Sequence, residues 1–128
     1  MNHPLPRPTD GELAILRVLW DRGPSTVRQI HEVMQEEKDL GYTSVLKLLQ
    51  VMTEKALVTR DERERSHVYH AAQSAERTQE HLMVDLLDRA FGGSAAKLVM
   101  QALSTRKTSR AELDEIRALL DRAEGRQS

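Results

Sequence analysis

Three polar side chains recur at helical spacing within the sequence GYTSVLKLLQVMTEKALV, residues 41–58. At about 100° per residue, Thr43, Lys47 and Gln50 project in nearly the same direction from a helix, and Ser44 lies beside them. Glutamine can form two hydrogen bonds with adenine, lysine can donate to guanine or to phosphate, and hydroxyl groups accept several partners. These side chains are therefore candidates for contacts with the base edges and phosphates of DNA.

The other face of the same segment is apolar. Four residues at positions i, i+3, i+4 and i+7 form the stripe by which an amphipathic helix packs on a core: Val45, Leu48, Leu49 and Met52. A polar outer face is also the ordinary property of a surface helix, so a solvated surface and a DNA-reading surface both remain open. Glu54 would repel phosphate, and we therefore expect the N-terminal half of the helix to dock.

Two further helices are predicted before this segment. Thr9 and Glu12 form a capping-box pattern at the start of the first, and Thr26 and Gln29 repeat it at the start of the second. Apolar residues at helical spacing follow each box, and a Gly-Pro pair separates the two helices. The residues expected in the core are Leu13, Leu16, Leu19 and Trp20 from the first helix and Val27, Ile30 and Met34 from the second.

A short β-hairpin is predicted after the third helix. Residues 56–60 and 67–71 have strand-like composition, and the charged residues 61–65 lie between them. No Asn-Gly pair or glycine marks the tip, so we expect a loop longer than two residues. Three helices followed by a hairpin is the order of a winged helix, in which the third helix can enter the DNA major groove. The predicted fold is mainly α with a small β-hairpin, a winged helix-turn-helix over residues 1–73.

Residues 74–128 are predicted to form a helical dimerisation region. Their three helices carry broad apolar bands and are separated at Gly92-Gly93 and at residues 104–108. So much apolar surface in about 50 residues is better stabilised by a second copy of the chain than alone. A helical subdomain packed on the first half of the same chain is the alternative. The residues expected to hold the dimer are Leu86, Leu87, Leu98, Val99, Leu113, Ile116 and Leu120.

Composition excludes several kinds of site. The 128 residues include no cysteine, which excludes disulfides, thiolate metal sites and a cysteine nucleophile. The five histidines lack the spacing of a shared metal site, and no phosphate-binding loop or catalytic triad motif is recognisable. No apolar run approaches the roughly 20 residues that span a bilayer, and no signal peptide is visible. We expect a cytoplasmic protein that is not an enzyme, does not insert into a membrane and holds no metal or cofactor.

The assembled motifs resemble those of the penicillinase-repressor family, the BlaI/MecI group of winged-helix regulators. The stretch LAILRVLWDRGPSTVRQI is similar to the first two helices of that family. YTSVLKLLQVMTEKALV is similar to its recognition helix and the start of its wing, and FGGSAAKLVMQAL to its dimerisation segment. The resemblance covers nearly the whole chain. It implies a homodimer that binds double-stranded DNA at a palindromic operator and represses transcription.

Carried onto this chain, the resemblance implies operator contacts from the third helix, the start of the second helix and the hairpin, which is the wing. The implied residues are Thr43, Ser44, Lys47, Gln50, Thr26, Arg28, Arg60, Arg63 and Arg65. Two positions depart from the family pattern, because Val51 stands where an arginine is usual and Ala56 where a glycine is usual. Without the glycine, we expect a different cap at the end of the third helix.

The resemblance also implies a way to end repression. In the family, a membrane-bound metalloprotease sensor commonly triggers cutting of the repressor between an Asn and a Phe in the dimerisation region. The corresponding pair here is Gln101 and Ala102. Burying a Phe side chain contributes roughly 1.5–3 kcal/mol, most of which an alanine methyl cannot supply. We therefore expect that a sensor of this specificity does not cut the bond.

The charge of the first half of the chain supports a rival hypothesis. Residues 1–73 carry ten Lys and Arg against eleven Asp and Glu, whereas most nucleic-acid binders are more basic. A winged-helix adaptor that binds proteins but not DNA, with Leu46 and Val51 as an apolar contact surface, would fit this balance. It does not account for the aligned polar side chains on the exposed centre of the third helix.

Overall fold

The computed structural model describes residues 7–38 and 40–127. In this part of the chain, six α-helices and three short β-strands follow one another. The predicted order of three helices and a hairpin is confirmed, and the fold is a winged helix with further helices after it. The elements are α1 (Asp10–Arg22), β1 (Ser25–Thr26), α2 (Val27–Lys38), α3 (Tyr42–Glu54), β2 (Val58–Asp61), β3 (Val68–Ala71), α4 (Ala75–Ala90), α5 (Ala95–Thr105) and α6 (Arg110–Gln127).

Side-chain caps determine where α1 and α2 begin. The Glu12 backbone N–H donates to the Thr9 hydroxyl at 3.3 Å, and the Thr9 backbone N–H donates to the Glu12 carboxylate at 2.9 Å. Thr26 and Gln29 form the same reciprocal pair, at 3.2 and 2.9 Å. Both predicted capping boxes are confirmed, and each satisfies donors that the start of a helix leaves unpaired. Hydroxyl caps at the starts of α4, α5 and α6 come from Ser74, Ser94 and Ser109.

The core under the three N-terminal helices fixes the orientation of α3. Val45, Leu49 and Met52 are fully buried, and Leu48 is half-buried beside them. Burying a Leu or Met side chain contributes about 1.5–3 kcal/mol, so rotating α3 away from this core would be costly. Leu13 and Trp20, expected in the core, are only half-buried, and Trp20 packs against the core from outside. The remaining buried apolar residues are Ala14, Ile15, Leu16, Val18, Leu19, Val27, Ile30, Met34, Leu57, Val58 and Tyr69.

The wing is part of a three-stranded antiparallel sheet in the order β1-β3-β2. The central strand β3 pairs with β2 in a register that places Arg60 opposite Tyr69, and with β1 through Ser25 and the same Tyr69. The loop between β2 and β3 is longer than two residues, as predicted. The sequence did not predict β1, because two residues are too few to show an alternating pattern.

An alanine occupies the left-handed turn at the end of α3. Ala56 has φ +62°, and its N–H donates to the Thr53 carbonyl at 3.1 Å. The Leu57 N–H donates to the Met52 carbonyl at 2.9 Å. These are the two bonds of the Schellman motif, whose left-handed position is usually a glycine. The expectation of a different cap is therefore wrong: the cap that a glycine forms is present, with an alanine Cβ in a strained conformation.

The chain divides into two compact units, of which the first ends at Val84 and the second begins at Asp85. This boundary lies within α4, C-terminal to the limit at residue 73 suggested by the sequence, and the assignment of separate DNA-binding and dimerisation roles stays a prediction. From residue 75 to residue 125, no side chain is buried in the single chain. Large apolar side chains there remain open to solvent, with Met100 59% and Leu120 56% exposed.

Candidate nucleic-acid interface

The outer face of α3 carries the four polar residues predicted from its sequence. Thr43, Ser44, Lys47 and Gln50 are all exposed, opposite the buried stripe of the same helix. Because the core holds that stripe, the direction of the outer face is fixed before any ligand binds. Glu54, one turn after Gln50, is also exposed and puts a negative charge at the C-terminal end of this face.

A groove of about 440 Å³ lies between α2, α3 and the wing. Arg28 of α2 lines it together with Thr26, the residue of β1 that caps α2, while α3 contributes Gln50 and the wing contributes Arg60 and Arg65. Five predicted contact residues, which are far apart in the sequence, therefore surround one concave surface. Guanidinium groups bind phosphate through paired hydrogen bonds, so they can hold DNA backbone near the Gln50 amide. The other residues lining the groove are Val27, Tyr42, Leu46, Ser66, His67 and Tyr69.

Tyr42 is a residue of this groove that the sequence did not single out. It is the first residue of α3 and is 48% exposed, despite its large aromatic ring. His31 of α2 meets that ring edge to face, with 5.7 Å between the ring centroids and 78° between the planes. The sequence carried no clear signal for this role of Tyr42, because its spacing of three residues from Val45 and seven from Leu49 fits the edge of the apolar stripe of α3. A phenol hydroxyl held at this place can donate to a phosphate oxygen.

The three wing arginines differ in their partners. Arg63 forms a bidentate pair with Asp61, in which Nε donates to Oδ1 at 3.0 Å and Nη2 donates to Oδ2 at 2.7 Å. Arg60 forms an ion pair with Glu62. Arg65 has no ion pair among the residues that the structure describes. Of these three predicted contacts, Arg65 thus carries the charge that is least committed within the chain.

Contacts within the wing shift the pKa values of three of its charged residues, Asp61, Arg63 and Arg60. Hydrogen bonds from the Arg63 side chain and backbone hold the pKa of the Asp61 carboxyl well below its usual value. The same contact raises the pKa of Arg63. A hydrogen bond with Tyr69, followed by the charge of Glu62, raises the pKa of Arg60. Each direction favours the charged form of Asp61, Arg63 and Arg60.

Leu46 and Val51, the apolar residues on either side of the polar face of α3, are less exposed than the sequence suggested. Leu46 is half-buried and packs against the core, and Val51 is also half-buried. The adaptor hypothesis uses both side chains as an open contact surface. Partial burial leaves less apolar area for that use, while the polar residues between them stay exposed.

Residues 7–38 and 40–127 contain neither a group of side chains suited to bind a metal ion nor a helix suited to span a membrane. No group of three or more His, Asp or Glu side chains in these ranges could hold a metal ion. Within the same ranges, no helix has the length and apolar composition needed to cross a membrane.

Known proteins resemble this chain over most of its length. The sequence model of the penicillinase repressor family matches residues 8–122. The transcriptional regulator BlaI from two strains of Mycobacterium tuberculosis is 39% identical over 98 residues, which cover 74% of this chain and 71% of that protein. Among solved structures, a MarR family regulator from Neisseria meningitidis is 17% identical and aligns over 100% of this chain and 82% of its own, with a TM-score of 0.43. At this TM-score the likeness carries no argument about function.

Proposed function

The chain belongs to the penicillinase repressor family of transcriptional regulators, and we propose that it represses transcription by binding a palindromic operator as a homodimer. In the proposed complex, α3 of each subunit enters one major groove, where its outer face contacts bases and phosphates. The residues assigned to these contacts are Thr43, Ser44, Lys47 and Gln50, with Thr26, Arg28 and the wing arginines on the flanking phosphates.

The position of Gln50 carries this proposal. Its side chain is exposed on the outer face of α3 and also lines the groove that contains Arg28 and Arg65. Glutamine can pair with adenine in the major groove, and phosphate contacts beside it would fix the register of the helix on the duplex. A merely solvated surface gives no reason for arginines from α2 and from the wing to line the same groove as this residue.

The near-neutral charge of the chain is compatible with this function. Net formal charge is −1, so attraction to DNA in general is expected to be weak. Binding then depends on base contacts and on the joining of two half-sites in one dimer, since the second half-site binds at a high effective concentration. We therefore expect clear discrimination between the operator and other DNA.

The apolar side chains of the second unit support the homodimer. Of the seven residues assigned to the dimer, none is buried in the single chain, and Leu86, Val99 and Leu120 are 48%, 45% and 56% exposed. Monomeric proteins rarely leave so many large apolar side chains open in so short a segment. A second copy would cover them and would present two copies of α3 to the two halves of a palindrome. The full set is Leu86, Leu87, Leu98, Val99, Leu113, Ile116 and Leu120.

Release from the operator is proposed not to use the cut that the family resemblance implies. Gln101 and Ala102 are exposed but lie inside α5, where the Thr105 hydroxyl donates to the Gln101 carbonyl at 2.7 Å. A protease must unwind such a helix before it can cut. Ala102 also offers little side chain to an apolar pocket. A membrane sensor metalloprotease thus remains a partner only if its pocket is smaller, and otherwise another signal ends repression.

The proposal requires neither catalysis nor a metal or cofactor, and it places the chain with DNA in the cytoplasm. A mobility-shift assay with the chain's own promoter DNA and excess competitor tests it. We expect a retarded complex that survives competitor, and loss of that complex in the double variant Lys47→Ala/Gln50→Ala. The control variant Arg17→Ala/Gln35→Ala makes a similar change at exposed positions outside the groove. A stable dimer that shows no retardation at all would support the adaptor hypothesis instead.

A further inference from the structure

In the wing, the guanidinium of Arg63 is already bound by the carboxylate of Asp61, which offers it two oxygens as a phosphate does. Besides the Nε–Oδ1 and Nη2–Oδ2 bonds, the Arg63 Nε contacts Asp61 Oδ2 at 3.1 Å. The Arg63 backbone N–H also donates to Asp61 Oδ1 at 3.0 Å, which fixes the turn between the two residues. Asp61 is the more enclosed partner, with its side chain 26% exposed against 89% for Arg63. The carboxylate is therefore the more enclosed receptor of the more exposed guanidinium.

A carboxylate and a phosphate compete for the same positive charge. Asp61 occupies the Nε–Nη2 edge of the Arg63 guanidinium and compensates its charge, so a phosphate at the remaining Nη1–Nη2 edge would meet a pair without net charge. To act on phosphate as a full positive charge, Arg63 must leave Asp61, and the freed carboxylate then attracts a cation from solution. This exchange cancels part of the counterion release that makes a phosphate contact favourable.

From this geometry we infer that the Asp61 carboxylate competes with DNA phosphate for the charge of Arg63. Asp61 thereby weakens the contact of Arg63 with the DNA backbone and limits the affinity of the wing for any DNA. The inference rests on the proposed function, because it concerns contacts with the same duplex. Its consequence is that, of the wing arginines assigned above to the phosphates, Arg63 contributes least and Arg65 contributes most. Stable binding is thereby left to the bases read by α3.

Glu64 provides a matched control for this inference. It lies in the same loop, one residue beyond Arg63, and it is exposed. In the described part of the chain it forms no ion pair. The changes Asp61→Asn and Glu64→Gln each remove one negative charge from the wing, but Asp61→Asn alone removes a carboxylate that holds an arginine. An asparagine at position 61 can still accept the Arg63 backbone N–H, so the turn is retained.

The test is to measure binding of the full chain to operator DNA and to scrambled DNA by fluorescence anisotropy over a range of salt concentrations. Asp61→Asn is expected to strengthen binding to scrambled DNA by roughly two- to fivefold per subunit, the range for an exposed ion pair. The slope of log K against log salt is expected to steepen by about 0.9 per subunit, as for one added phosphate contact. Glu64→Gln is expected to give a smaller gain without that change of slope.

A second variant identifies the released group. Arg63→Ala alone is expected to change binding little, whereas Arg63→Ala combined with Asp61→Asn should remove the whole gain. The inference is overturned if Asp61→Asn and Glu64→Gln act alike, which would mean a general charge effect, or if the gain survives loss of Arg63. If the wild-type chain binds operator but Asp61→Asn changes nothing, the inference fails and the proposed function stands. If no variant binds DNA, wild type included, both fail.

Discussion

Lys55, immediately after α3, donates from its Nζ to both carboxylate oxygens of Glu12 at 3.0 Å each. Glu12 is 1% exposed and also caps the start of α1 by accepting the Thr9 N–H. Burial alone would raise the pKa of Glu12, but the Thr9 backbone hydrogen bond and then Lys55 bring it below its usual value. One ion pair thus joins the beginning of α1 to the residue that follows the end of α3.

Removing Lys55 should destabilise the first unit, because a buried carboxylate would lose its cation. Lys55→Met is expected to lower the free energy of unfolding by about 1–2 kcal/mol, which is at the low end for a buried carboxylate that loses its partner. The loss is small because the Lys55 side chain is 36% exposed, so water can partly replace its ammonium group. Urea unfolding followed by fluorescence of the single tryptophan, Trp20, measures this directly. Lys47→Met, on the exposed face of the same helix, serves as the control and should shift stability by less than about 0.5 kcal/mol. Equal effects of the two changes would contradict the role given to the ion pair.

Replacing Ala56 by glycine should stabilise the protein. The left-handed turn strains an alanine by about 1–2 kcal/mol, while glycine loses about 0.5–1 kcal/mol more backbone entropy on folding. The expected net gain of Ala56→Gly is therefore about 0.5–1 kcal/mol. Ala56→Val at the same position should do the opposite, since a β-branched residue tolerates positive φ poorly. In urea unfolding, we expect a higher midpoint for Ala56→Gly and a lower midpoint for Ala56→Val than for the wild-type chain. A glycine variant less stable than wild type would contradict the strain assigned to Ala56.

Much of the first unit was predictable because its signals are local. The capping residues Thr9 and Thr26 and the stripe of α3 occupy fixed spacings along one helix, and the structure bears them out. The cap at Ala56 was mispredicted, since the sequence shows the residue type but not that neighbouring bonds impose a left-handed turn on it.

The parts of the candidate site that were missed depend on contacts between distant segments. β1 exists only because Ser25 and Thr26 pair with β3, more than 40 residues later in the chain. Tyr42 lies in the groove because α2 and the wing approach it in space. The sequence also could not show which wing arginine lacks an ion pair among the described residues, because every arginine in this run of alternating charges has an acidic neighbour.

A charge introduced into the second unit should disrupt the dimer. In a shared apolar surface the carboxylate of Leu120→Glu would be buried without a partner, at a cost of several kcal/mol. Sedimentation velocity should then show a dimer for the wild-type chain at micromolar concentration and a monomer for the variant. Ala118→Glu, on the nearly opposite face of α6, should remain dimeric. A monomeric wild-type chain under these conditions would contradict the assigned dimer.

Antibiotic stress should leave the Gln101–Ala102 bond intact. The expected observation, by mass spectrometry of the protein from its own host during cell-wall antibiotic treatment, is the absence of a fragment ending at Gln101. The variant Gln101→Asn/Ala102→Phe restores the residue pair implied by the family resemblance and should be cut if a sensor of that specificity is present. Wild-type fragments ending at Gln101 and starting at Ala102 would restore the cleavage mechanism of the family.

The central claim, that the outer face of α3 reads DNA bases, is tested most directly by Gln50→Ala on a set of operators that each carry one substituted base pair. If Gln50 makes a bidentate contact with adenine, the variant should lose about 1–3 kcal/mol of discrimination at one symmetric position in each half-site. Discrimination at the other positions should be retained, and Arg65→Ala should weaken binding to all the operators about equally. An unchanged pattern of discrimination in Gln50→Ala across the whole set would contradict the claim.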